Sequence, residues 1–108
     1  MNTSKVVNQD GSIEIYFEKI GHWDDFDLIL GILQQENGCQ IRSNEEMVYI
    51  RQAKILWRNI NFELIQDDML GNFILTKNPE DVGLLEKLAT NVINSIKEKL
   101  DKAHINHN

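Results

Sequence analysis

The stretch from Ile55 to Thr76, ILWRNINFELIQDDMLGNFILT, constrains the fold more than any other, because it reads as a β-hairpin with explicit turn chemistry. On its first arm Ile60, Phe62 and Leu64 alternate with Asn61, Glu63 and Ile65, the period expected of a strand with one face on a core. The arm ends where Gln66-Asp67-Asp68-Met69-Leu70-Gly71 offers carboxylates to nearby backbone N–H groups and a glycine free to take positive φ. Phe73 and Leu75 then resume the core-facing alternation. The other face of the hairpin is expected to carry Asn61, Glu63, Ile65, Asn72 and Ile74, a mixture able to stay solvated or to receive a partner.

Two segments change period. Phe26, Ile29, Leu30 and Leu33 fall at i, i+3, i+4 and i+7, one stripe of an amphipathic helix. Asp24 reads as its N-cap, Asp27 as N3, Trp23 as a staple onto Leu28, and Asn37-Gly38 as its left-handed end. Gly31 inside this helix is unfavourable by about 1 kcal/mol relative to alanine, which predicts a close backbone approach there. A longer helix starts at Asn78 as N-cap with Pro79 at N1 and Glu80 and Asp81 in the first turn. It continues through Val82, Leu85, Ala89, Val92, Ile96 and Leu100, with Lys97, Lys99 and Lys102 near its negative end.

Elsewhere Asp10-Gly11 signals a turn before a strand marked by Ile13, Ile15 and Phe17. Cys39 and Ile41 suit a short strand followed by a polar turn at Arg42-Ser43-Asn44-Glu45. Residues 44–57 fit two templates. As strand, Val48 and Ile50 oppose Met47 and Tyr49, and Ile55 and Trp57 run into the hairpin through an Arg58-Asn59 turn. As helix, Tyr49, Ile50, Ala53, Leu56 and Trp57 form a stripe, with Ser43 and Glu46 at capping-box spacing. Enrichment in β-branched and aromatic residues favours the strand. The expected architecture is one α+β domain over residues 1–108, frayed at 1–10 and 103–108. It is a two-layer sandwich of about four or five mainly antiparallel strands with both helices on one face.

Composition narrows the function. At 42% hydrophobic and 26% charged residues the chain has globular proportions, and no apolar run is long enough to span a bilayer. The single cysteine and the opening MNTSKVVNQD, which lacks the apolar segment of a signal peptide, predict a reducing, cytoplasmic setting. A net charge of −6, from 17 acidic and 11 basic residues, disfavours nucleic acid and anionic membranes and favours a basic partner. Asp24, Asp25 and Asp27 read as a charged helix start before they read as a cation site. Asp67 and Asp68 read as turn residues before an acid–base pair, and Cys39 as a structural thiol. His22, His104 and His107 show no metal-ligand spacing, and the glycines form no phosphate loop. No catalytic residue, cofactor or metal is therefore expected.

The acids gather at element ends: Asp24, Asp25 and Asp27; Glu45 and Glu46; Asp67 and Asp68; Glu80 and Asp81. If several of those ends share a side they form a negative rim suited to a basic surface. The run FELIQDDMLGNFIL, followed by a Pro-initiated amphipathic helix, resembles small acidic bacterial proteins found beside secreted toxin domains, where such proteins act as immunity factors. The resemblance implies a non-enzymatic protein that occludes the active site of a basic toxin such as a nuclease. The residues expected to contact that partner are Asp24, Asp25, Asp27, Glu45, Glu46, Asp67 and Asp68. Trp23 and Trp57 read first as core or staple residues and second as aromatic anchors. The competing readings are a small-molecule or enzymatic pocket between sheet and helices, drawing on Cys39, Tyr49 or the aspartates, and a homodimer formed through the open sheet face or an edge strand.

Overall fold

The computed structural model describes residues 2–106, with side chains through residue 103. The elements are β1 (Thr3–Val7), β2 (Ile13–Phe17), α1 (Asp25–Asn37), β3 (Gln40–Glu46), β4 (Ile50–Trp57), β5 (Ile60–Asp67), β6 (Gly71–Thr76), a 3-10 turn (Pro79–Asp81) and α2 (Val82–Asn106). The class is α+β, but the sheet has six strands, in the order β1-β2-β6-β5-β4-β3, all antiparallel. The strand beyond the expected number is β1, in the segment expected to be frayed; it pairs along its length with β2. At the other terminus α2 continues to Asn106, and residues 107–108 of the expected frayed end lie outside the described residues.

Within residues 44–57 the strand template holds at 44–46 and 50–57, and no residue is helical. The β3–β4 turn falls at Met47–Tyr49, not at Arg42–Glu45, which belongs to β3. Arg58 and Asn59 form the two-residue link to β5, both with positive φ (49° and 65°), the backbone of a turn that matches strand twist. The β5 face is as expected, with Ile60, Phe62 and Leu64 buried, but β6 has the opposite phase. Leu64 pairs with Ile74 and Ile65 with Phe73, so Asn72, Ile74 and Thr76 face the helices while Phe73 and Leu75 lie on the open face. There Phe73 stacks on Tyr16 with ring centroids 4.8 Å apart.

Both helices cover one face over a single apolar core. The α1 stripe is buried as read, with Ile32 added, and Gly38 ends the helix at φ 70°. In α2, Val82, Leu85, Ala89, Val92 and Ile96 are buried and Leu100 is exposed. Helix α2 lies over β1, β2 and β6, and α1 over β5, which carries Phe62 and Leu64. Neither expected N-cap side chain makes a cap bond. Asp24 is already helical in its dihedrals, while Asn78 is extended before Pro79 and accepts the Asp81 N–H through its backbone carbonyl at 3.0 Å. Leu28 is part-exposed, and Trp23 lies beside Arg51.

The close backbone approach predicted at Gly31 occurs elsewhere. A Cβ on Gly31 would meet nothing within 4 Å, whereas one on Gly21 would lie 3.3 Å from the Gly71 Cα. Gly31→Ala should therefore raise stability by up to about 1 kcal/mol through helix propensity. Phe62→Ala should lower it by about 3 to 5 kcal/mol through lost packing and a cavity. Denaturant unfolding of the two variants checks both signs.

Candidate functional site

The alternation of hairpins brings the β3–β4 turn, the β5–β6 turn and the β2–α1 loop to one end of the sheet. Asp67 organises the second turn: its Oδ1 accepts the N–H groups of Met69 (2.8 Å) and Leu70 (3.1 Å), the self-capping habit of aspartate. The Asp68 N–H then donates to the Tyr49 carbonyl at 3.0 Å, joining the two turns. Held this way, their apolar residues have no core to reach. Val48, Tyr49, Met69 and Leu70 are 81%, 68%, 93% and 58% exposed. Met47 and Ile50 flank them, also exposed.

Arg51 ties the helix to this end. Its side chain is 9% exposed, and its Nη1 and Nη2 donate to the two carboxylate oxygens of Asp27 at 2.9 and 2.7 Å, the paired geometry guanidinium favours. Its Nε lies 3.5 Å from a Glu46 oxygen, and the guanidinium carbon sits 4.4 Å from the Phe26 ring centroid and 5.6 Å from that of Trp23. Hydrogen bonding to Arg51, opposed by partial burial and reinforced by its charge, holds the Asp27 carboxyl below its ordinary value. The same pair raises Arg51.

The β2–α1 loop is fixed from below by two amides on helix-facing strand positions. Gln66 Nε2 donates to the Gly21 carbonyl (2.6 Å), and Asn72 Nδ2 to those of Ile20 (2.8 Å) and His22 (3.2 Å). Donors reaching from the sheet to these loop carbonyls account for the polar residues at core positions here.

Asp24, Asp25, Asp27, Glu45, Glu46, Asp67, Asp68 and Trp23 therefore gather at one end, while Glu80 and Asp81 lie at the other. The gathered residues are not equivalent. Asp27 and Glu46 are committed to Arg51, Asp25 accepts the His22 N–H at 3.0 Å, and Asp67 holds its turn. Asp24, Glu45 and Asp68 are exposed and have no side-chain hydrogen bond or ion pair among the described residues. Trp57 does not belong to the group. It is buried at the opposite end, with the Arg58 guanidinium carbon 4.7 Å from its ring centroid. Sequence reasoning missed Arg51 and the apolar turn residues. Met69 and Leu70 were legible in principle, since apolar side chains inside a tight turn cannot enter a core.

The residues weighed for a pocket between the layers do not converge. Cys39 is buried beside the Trp57 end, where burial pushes its thiol up to about 11, and Tyr49 is on an exposed turn at the other end. Among the described residues no group of three His, Cys, Asp or Glu side chains is placed to hold a metal ion, and no helix is long and apolar enough to cross a membrane. The side chains of His104 and His107 lie outside the described residues. Compared with known family models, curated proteins and solved structures, the chain matches none.

The Asp27 carboxylate gives a pH test. A carboxyl depressed in the folded state contributes stability above its unfolded value and loses that contribution as pH falls through its folded one. Asp27→Asn should be less stable than the wild type at neutral pH, and the gap should close as pH falls below about 4. Thermal unfolding of both proteins from neutral to acid pH measures it; a gap independent of pH would remove the charge from the explanation.

Proposed function

We propose that this chain is a non-enzymatic protein-binding module, an immunity protein that neutralises a basic bacterial toxin such as a nuclease by occluding its active site, and that the turn-bearing end of the sheet is its contact surface. The observation that supports this reading is the apolar tip formed by Val48, Tyr49, Met69 and Leu70 within a frame of exposed carboxylates on Asp24, Glu45 and Asp68. Partner surfaces combine a dry centre that supplies most of the affinity with a charged rim that steers encounter and selects sign. Acids dominate this end, because its arginine is buried and paired and Lys19 is the one lysine in its turns and loop. Lysines and arginines that hold phosphates in a nuclease active site have the complementary charge. The resemblance carried by FELIQDDMLGNFIL points to the same class of partner.

The centre and rim separate experimentally. With the product of the adjacent gene as partner, Asp24→Asn, Glu45→Gln and Asp68→Asn combined should slow association by about tenfold at low salt and by much less at high salt, where screening removes the attraction. Val48→Ser with Met69→Ser should act mainly on dissociation. Stopped-flow or surface-based kinetics at two salt concentrations measures both. Association rates equal to wild type for the charge variant at every salt concentration would contradict the rim, and failure of the wild type to bind the adjacent product would contradict the immunity reading.

A further inference from the structure

The open face of the sheet has a second feature at the end away from the tip, and it carries the opposite charge. A shallow depression of about 590 Å³ is lined by Arg42, Lys54 and Lys77, by one carboxylate, Glu63, and by Asn61, Asn78 and Leu75. Its cations are placed by the backbone. Between β3 and β4 the register passes from Ile41 opposite Ile55 to Ser43 opposite Lys54, leaving Arg42 as the extra residue of a bulge, a device that re-aims a side chain. Lys54 stands opposite Glu63 across β4 and β5, the natural site for an ion pair. Instead the Glu63 carboxylate accepts a hydrogen bond from Gln52. Glu14, beside Leu75 on β2, accepts from the Tyr16 hydroxyl at 3.1 Å. Arg42, Lys54 and Lys77 take part in no ion pair among the described residues.

In a chain of net charge −6, three cations outside any ion pair, set against the single carboxylate of Glu63 in the lining, leave this depression with a net positive lining. The volume falls within the range of small-ligand sites, and the lining supplies what a phosphorylated small molecule requires. Arg42 presents a planar fork to phosphate oxygens, Lys54 and Lys77 are compact charges, the two asparagine amides can fix orientation, and Leu75 offers an apolar floor. We infer that this depression binds a small phosphorylated ligand of nucleotide size, through its di- or triphosphate group. The site shares no residue with the tip and does not rest on the identity of the protein partner.

Pyrophosphate and ATP serve as probes, titrated at low salt into the isotope-labelled chain while its amide resonances are followed. Saturable shifts are expected for both probes at Arg42, Lys54, Asn61 and Lys77, with ATP the tighter because it also covers Leu75. Lys54→Gln with Lys77→Gln should weaken binding by about tenfold for each cation removed, since a hydrogen bond to a charged group contributes on that scale. Both lysines are exposed, and an unchanged spectrum of the free variant confirms its fold. A matched control, Lys97→Gln with Lys99→Gln on α2, should bind like the wild type. Shifts that do not saturate, that spread over the helices, or that weaken equally in the control would overturn the proposal, as would saturation by pyrophosphate with no response to ATP.

Discussion

The Arg51 guanidinium is the constraint on which the functional end depends. It is nearly buried on β4, yet it joins α1 through Asp27, β3 through Glu46, and the aromatic faces of Phe26 and Trp23. Asp27 remains 64% exposed, so solvent screens the pair and its contribution to global stability is small. Its consequence is geometric. A planar fork satisfied by both oxygens of one carboxylate fixes the angle at which the helix start meets the sheet. Gln66 and Asn72 complete the arrangement by donating to the loop that leads into the helix, and the loop backbone at Gly21 packs closely on Gly71, where a Cβ on either would lie 3.3 Å from the other's Cα.

Charge is distributed along the sheet axis. Carboxylates from separate elements meet at the turn end, where the one arginine is internalised, while Arg42, Lys54 and Lys77 meet on the open face of the opposite half. The helix layer contributes the aspartates at the start of α1 to the acidic end and supplies the apolar cover over the other face of the sheet. Edge strands are restrained in the usual ways: β3 by its bulge and charges, β1 by the Lys5–Glu86 pair to α2.

How much of this was legible depended on the range of the interaction involved. The period of the α1 stripe, the Gly38 end and the Asp67 turn are local consequences of side-chain size and backbone freedom, and they stand as read. The phase of β6 was not legible, because Phe73, Ile74 and Leu75 are all apolar and alternation cannot choose between them. The choice is made by Asn72, whose inward amide meets carbonyls of Ile20 and His22 some fifty positions away in the chain. Asp24 stands at the N-cap position as read, but its side chain makes no cap bond, and tertiary pairing commits Asp27 to Arg51. Trp57 takes the first of its two readings, as a core residue, and the hairpin's direction places it at the end away from the acids. The gathering of the acids needed the whole meander, and only the condition for it was visible in the sequence.

The central claim is that Arg51 holds the turn-bearing end in one arrangement. Amide hydrogen exchange of the wild type and of Arg51→Met, which keeps the apolar stem and removes the charged fork, tests it most directly. The account predicts faster exchange confined to residues 22–27 and 46–51, with the amides of β5, β6 and α2 unchanged. Unchanged protection in those two segments, or a uniform loss across the whole sheet, would contradict it.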